Sequence, residues 1–320
     1  MQIHRTAIRK ICKALLLSVI SCACYAISGK GWEVIGDISF KRGLALTPLD
    51  PAVVQANGGI EKNCVDTFFF RQKNVLPVWR LVQWHNKYDF RNAVPVKKED
   101  GAIIYGNQSK KVIWYPEGRL WLELNAGKEY DCPRKQEDMW PHLLIEQSFS
   151  RCPNIGKVKQ LDFSMEIKLE KCERRMSDAD YNPEIHTAQS PFYFILRNVD
   201  EQSADFNSFI WIGIPSYDYR YERMMDKELV SWDAGTSTYI YNLPQLTIWG
   251  DITFHDKQWH RAQADLLPLI KEAVRKMKGK GYFKDTDWED LEITGMNFGW
   301  EIPGTFDAAV SIRNISLKVL

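Results

Sequence analysis

An excess charge of either sign is missing from this chain: 42 Lys and Arg stand against 41 Asp and Glu, a formal net charge of +1 at pH 7. Without a positive field or a basic block, general nucleic-acid binding is excluded. Beyond the N-terminus no run reaches eighteen apolar residues, so no second membrane anchor is expected. No linker rich in Pro, Gly or Ser, no internal repeat and no low-complexity segment divides the chain. Gly-x-Ser-x-Gly elbows, P-loops, dinucleotide fingerprints, His-Glu-x-x-His and EF-hand loops are all absent, which removes the best-marked nucleophile, nucleotide and metal chemistries. Cysteine is sparse. Three of seven (Cys12, Cys22, Cys24) fall in the first 26 residues, leaving Cys64, Cys132, Cys152 and Cys172 without a CxxC or zinc spacing. An even set of four in an exported chain predicts one or two disulfides, with three full pairings open. No Asp-rich loop indicates calcium, and no cofactor is expected.

The export expectation comes from the N-terminus. Arg5, Arg9, Lys10 and Lys13 form a basic n-region, and Ala14-Leu15-Leu16-Leu17-Ser18-Val19-Ile20 is an apolar run too short to span a bilayer. Val19-Ile20-Ser21-Cys22 resembles a bacterial lipobox, whereas Cys24-Tyr25-Ala26 offers a small-residue cleavage site. Residues 1–26 are therefore read as a signal peptide and 27–320 as one exported domain, in the periplasm or at the cell surface. The only expected membrane contact is a lipid at Cys22.

What the chain has in quantity is aromatic side chains: 12 Trp, 13 Tyr and 15 Phe. Rigid amphipathic rings stack on the C–H faces of pyranoses, and they also fill sandwich cores. Short alternating runs recur throughout, at 78–84, 111–115, 119–124, 161–169, 191–197, 209–214, 238–241, 293–300 and 308–319. Period-two alternation marks half-buried strands, and more than ten of them predict an all-β sandwich. One stretch breaks the pattern. Leu266, Leu267, Leu269, Ile270, Ala273, Val274 and Met277 recur at helical spacing, with Asp265 as N-cap, predicting one amphipathic helix over about 265–278.

The strand order, with a helix before the last two strands, resembles the jelly roll of concanavalin-A-like lectins and glucanases. The run Gly295-Met296-Asn297-Phe298-Gly299-Trp300-Glu301-Ile302-Pro303-Gly304-Thr305-Phe306-Asp307 resembles the final strands of exported polysaccharide-utilisation proteins of gut-type Bacteroidota. So do Ser311-Ile312-Arg313-Asn314-Ile315-Ser316-Leu317 and Trp140-Pro141-His142-Leu143-Leu144-Ile145-Glu146-Gln147. The resemblance implies a jelly-roll β-sandwich of two antiparallel sheets and a polysaccharide or oligosaccharide partner bound on an aromatic-lined concave sheet. It does not carry over a nucleophile. Laminarinase-type glucanases place Glu-x-Asp-x-Glu or Glu-x-Asp-x-x-Glu on one strand, and the nearest match, Glu166-Ile167-Lys168-Leu169-Glu170, has Lys in the middle.

Three segments carry candidate chemistry. On a strand over 140–149, His142, Leu144, Glu146 and Ser148 share one face, so Glu146 and His142 are the candidate acid and base. Trp140 and Gln147 are added as sugar contacts. Over 79–85, Gln83 and His85 share a face and can both donate to and accept from sugar hydroxyls, with Trp84 as a stacking surface. The dense run Pro215-Ser216-Tyr217-Asp218-Tyr219-Arg220-Tyr221-Glu222-Arg223 follows an apolar strand, where sandwiches place binding residues, giving Tyr217, Tyr219 and Arg220 as contacts. Trp249, ahead of the helix, completes the set. The primary expectation is glycan binding; hydrolysis, lyase chemistry and a structural or protein-binding sandwich are the alternatives.

Overall fold

The computed structural model describes residues 31–320, with 57 and 224–226 excepted. The expected signal region, including lipidation at Cys22 and cleavage after Ala26, lies outside the described residues. Residues Trp32–Leu320 form one compact unit. It is a jelly-roll β-sandwich of an eight-stranded and an eleven-stranded sheet. The 14-residue strands Leu161–Arg174 and Phe306–Val319 run side by side through the eight-stranded sheet.

The eleven-stranded sheet begins at the edge strand Leu229–Asp233. It then passes through Thr238–Asn242, Phe209–Gly213, Phe192–Asn198, Leu291–Glu301, His142–Ser148 and Trp79–Val82 to Leu44–Leu46 and Asp66–Phe68. Not every pairing is antiparallel as expected: Phe209–Gly213 runs parallel to Thr238–Asn242, and Leu44–Leu46 parallel to Trp79–Val82. Both parallel pairs arise where the chain crosses over before returning to the sheet.

Alternation decides what faces what. Along Phe192–Asn198 the residues Phe192, Phe194 and Leu196 are buried, and Tyr193, Ile195 and Arg197 are half-buried on the reverse side. Leu143, Ile145, Phe298 and Trp300 point the same way as Phe192 and fill the space between the sheets. Trp300 donates its indole N–H to the Leu122 carbonyl of the opposite sheet at 3.0 Å, so this large core ring leaves no buried donor unpaired.

The helix forms at Leu266–Gly279, with the Asp265 carboxylate accepting the Leu267 N–H at 3.0 Å. Its apolar stripe, from Leu266 to Met277, is buried. Two further short helices, Pro51–Ala56 and Gln245–Trp249, were not expected. The expected disulfides do not form: Cys64, Cys132, Cys152 and Cys172 are free thiols. Cys172 lies on the long Leu161–Arg174 strand, and burial pushes its thiol up to about 11.

Candidate functional site in the cleft of the eleven-stranded sheet

The strand register assembles this site. His142–Ser148 pairs antiparallel with Leu291–Glu301, so His142 lies opposite Glu301, Leu144 opposite Gly299 and Glu146 opposite Asn297. All six occupy the face turned away from the core. The next strands extend the row, with Arg80 opposite Glu146 on one side and Tyr193 opposite Asn297 on the other. Glu146 is nonetheless only 9% exposed, so this face is a cleft and not an open surface.

The two carboxyls sit in different surroundings. Burial pushes Glu146 up to about 7 against the pull of Arg80 and a hydrogen bond from Asn297. Arg80 is itself anchored, with Nη1 at 3.0 Å from Glu61 and Nη2 donating to Ser148 Oγ at 2.9 Å. Burial also lifts Glu301 to about 7, with Gln189 donating to it at 3.2 Å and the Asp233 charge adding to the rise. Among the described residues no cation balances Glu301 as Arg80 balances Glu146. Four residues separate the two along the strands, roughly 13 Å at about 3.3 Å per residue. The position between them holds Gly299, where a Cβ would lie 2.2 Å from the Leu143 carbonyl.

His142 is ringed by aromatic side chains. Trp140 stacks at 6.0 Å between centroids, Trp84 meets it edge-on at 6.1 Å and His85 lies 5.8 Å away. Burial lowers His142 to about 4, so its imidazole is neutral at ordinary pH. Burial and the neighbouring His142 also lower His85. Farther along, burial raises Tyr193 well above its ordinary value, which keeps its hydroxyl a proton donor. Tyr193 packs on Trp211 at 5.8 Å. A cavity of ≈ 270 Å³ opens there, lined by Gln189, Tyr193, Arg220, Ser231 and Asn242 among others. Buried Asn242 Oδ1 and Asn297 Oδ1 have no hydrogen-bond partner.

The expected residues divide. His142, Glu146, Trp84, His85 and Trp140 gather at the cleft. Gln83 does not: it is on the core side, donating to the Thr47 carbonyl and Asp89 and accepting the Phe90 N–H. The outward face of that strand is Arg80 and Val82, the reverse of the expected phase. Gln147 likewise points inward and clasps the backbone of Gly36 at 2.6 and 3.0 Å. Tyr217 turns into the interior against Trp300 and is 5% exposed. The strand ends at Asp218, so Tyr219 packs on Phe306 at 4.7 Å instead of continuing a face. Arg220 reaches the cavity wall, but its guanidinium is paired with Asp218. Trp249 is buried, donating to the Pro215 carbonyl at 2.9 Å.

Sequence reasoning missed Glu301, Asn297, Gln189, Tyr193 and Asn242. The available signal was the polar alternation Asn297, Gly299, Glu301 at the end of an apolar strand. Glu166 and Glu170, by contrast, lie on the outer face of the eight-stranded sheet. Glu166 is held there by Arg313 and Asn314, and Glu170 by Ser311 and Lys168. Among the described residues no group of three or more His, Cys, Asp or Glu is placed to hold a metal ion.

No protein-family model matches the chain. No curated protein matches it either. Among solved structures it is similar to a native family 12 xyloglucanase from Bacillus licheniformis, at 10% identity over 71% of this chain and 97% of that one, TM-score 0.39. It is also similar to the endoglucanase cel12A from Rhodothermus marinus (9% identity, 71% and 96% covered, TM-score 0.37). A third is the xyloglucanase domain of NopAA from Sinorhizobium fredii in complex with cellobiose (9%, 72% and 98%, TM-score 0.37).

Proposed function

We propose that the chain binds a polysaccharide along this cleft and cleaves it as a glycoside hydrolase. One observation carries the reading: a buried and a half-buried carboxyl, both raised to about 7, share one cleft face with stacking rings and unpartnered amide oxygens. Glycoside hydrolysis needs one carboxyl that donates a proton to the leaving oxygen and one that acts ionised. Arg80 favours the charged form of Glu146, which takes the carboxylate role. Glu301, without a cation and near Asp233, takes the acid role. The backbone spacing exceeds the about 6.5–9.5 Å between carboxyls of an inverting pair, so cleavage requires both side chains to lean toward the gap over Gly299, and the spacing assigns no stereochemical outcome. Trp84, Trp140, Tyr193 and Trp211 supply the stacking surface.

The same spacing favours a second reading, glycan binding without turnover, in which the carboxyls only accept hydrogen bonds from sugar hydroxyls. Lyase chemistry is the less favoured alternative, because the nearby guanidiniums of Arg80 and Arg220 are already paired and a uronate would meet Glu146, Glu301 and Asp233. Action outside the cytoplasm is part of the proposal and rests on the 1–26 segment alone. Purified protein incubated with a polysaccharide panel tests all three. New reducing ends support hydrolysis, retention in affinity gels without product leaves binding only, and unsaturated-uronate absorbance would move the assignment to a lyase.

A further inference from the structure

Residues 126–130 follow the Leu120–Asn125 strand of the eight-stranded sheet, and two neighbours among them bond to segments at the cleft. The Glu129 side chain is 1% exposed and receives Lys110 Nζ, itself 0% exposed, at 3.0 Å. Its other oxygen accepts the backbone N–H groups of Lys87 and Tyr88 at 2.5 and 3.2 Å. Lys110 also donates to the Tyr88 carbonyl and to Asn86 Oδ1, the latter at 3.1 Å. Asn86 then gives both amide protons to carbonyls, those of Trp84 at 2.9 Å and His142 at 2.7 Å. The His142 N–H closes the ring by donating to the Trp84 carbonyl at 3.0 Å. Tyr130, the next residue, donates its hydroxyl to the Ile302 carbonyl at 3.1 Å and accepts the Gly304 N–H at 3.4 Å, in the turn directly after Glu301.

An ion pair buried this completely is a poor source of stability. Desolvating two charges commonly cancels their attraction, and well-packed apolar replacements are often neutral or better. Burial depresses Lys110 below its ordinary range, against the opposing pull of Glu129. What the pair supplies is direction, because its bonds outside the pair and its own hairpin all go to one turn. That turn needs holding. His85 adopts φ 57°, in the left-handed region that costs a non-glycine residue on the order of 1–3 kcal/mol. Trp84 Nε1 is buried without a hydrogen-bond partner, so the backbone anchoring of the turn is what holds that ring.

We propose that Lys110, Glu129 and Asn86 are positioning residues for the cleft, fixing the 84–88 turn and the start of the His142–Ser148 strand so that Trp84, His85 and His142 are presented to the glycan. The proposal rests on the cleft being the glycan site. Its test uses the full chain and two variants. Lys110→Met with Glu129→Met removes both charges together and leaves no orphaned ion; Asn86→Ala removes the link to Trp84 and His142 while keeping the ion pair. Near-UV circular dichroism reports folding, and NMR titration of the histidine ring signals, assigned with a His142→Phe control, reports the site. Both variants are expected to fold, with the His142 titration moving up from about 4 toward the ordinary 6.5 as water enters. Turnover of the glycan is expected to fall on the order of 100-fold through misplacement of the site. If the double variant does not fold, Asn86→Ala decides alone. A folded variant whose His142 titration is unmoved overturns the proposal. Should the parent show no glycan binding or turnover, the glycan reading falls, while the His142 titration still decides the positioning role.

Discussion

Each sheet of the sandwich carries glutamates on its outward face, and the two sets have opposite electrostatic character. On the eight-stranded sheet, burial works to raise Glu166, but hydrogen bonds from Asn314 and Arg313 outweigh it and hold the carboxyl below its ordinary value. Glu123, on the same sheet, is likewise lowered against burial by Lys111 and Lys171, at 3.0 and 3.1 Å. On the eleven-stranded sheet burial wins, because Glu146 has one shared cation and Glu301 has none. Residue type and outward facing are the same in both places. What differs is whether the neighbouring strands bring cations, and that follows from register. A carboxyl row with matched cations is a stabilised surface; one without them is poised for proton transfer.

The strongest way to break this contrast is to neutralise each row in turn. Glu146→Gln and Glu301→Gln are expected to cut turnover by about 10²–10⁴-fold, the usual worth of an acid or base, while retention on glycan gels persists. Glu166→Gln and Glu170→Gln are expected to leave turnover unchanged. Reducing-end assays on all four settle it: comparable losses from both rows would place the chemistry elsewhere.

The difference between the rows was only half legible in the sequence. Period two placed His142 and Glu146 on one face correctly, because the 140–149 run alternates cleanly. It also showed Glu166, Lys168 and Glu170 as a charged face with a Lys where a glucanase has Asp. The phase of the 79–85 run came out reversed, since a buried Gln with all its bonds satisfied by Thr47, Asp89 and Phe90 looks the same in sequence as a ligand contact. Glu301 stands out in the sequence only as part of the fold pattern. Its partner His142 is distant along the chain, and nothing local announces that register. The Tyr217 to Tyr221 run failed for another reason: the chain turns after Asp218, whose carboxylate accepts the Arg220 N–H at 3.0 Å and pairs with its guanidinium.

The next largest effect sharpens the comparison through pH. Glu146 and Glu301 titrate near 7 in the fold and near 4.5 when unfolded, so the folded chain keeps their protons to higher pH. The stability associated with those protons is full below about 4.5 and is lost as pH rises through 7, on the order of 3 kcal/mol per carboxyl. His142 runs the other way. Depressed to about 4, it contributes above 6.5 and the contribution is lost as pH falls through 4. Urea midpoints of Glu301→Gln are therefore expected to exceed the parent's at pH 8 and to converge with them at pH 5. A variant equally displaced at both would show that Glu301 is not held protonated.

Stacking gives a smaller effect. Trp84→Phe keeps an apolar ring beside His142 but removes the buried Nε1–H, and Trp211→Ala removes the partner of Tyr193 and its bond to Thr236 at 3.0 Å. Aromatic pairs are worth about 0.5–1.5 kcal/mol beyond their buried area. Trp211→Ala is accordingly expected to weaken glycan retention roughly tenfold or less, while Trp84→Phe changes it little. If Trp84→Phe proves the more damaging, the ring beside His142 and not Trp211 carries the sugar contact.

The smallest effect belongs to the outer row and tests the other side of the contrast. Arg313 Nε meets Glu166 at 2.8 Å, with side chains 35% and 20% exposed, while its guanidinium lies 4.1 Å over the Trp259 ring. Exposed pairs of this kind contribute about 0.2–1 kcal/mol and are screened by salt. Glu166→Gln is expected to lower stability by less than about 1 kcal/mol at low salt, with most of the difference gone in molar salt. Glu301→Gln changes stability with the opposite sign at pH 8 and with less salt dependence, because its main cause is burial, with the Asp233 charge a smaller contributor. A salt-sensitive Glu301 effect would place that carboxyl with the outer row after all.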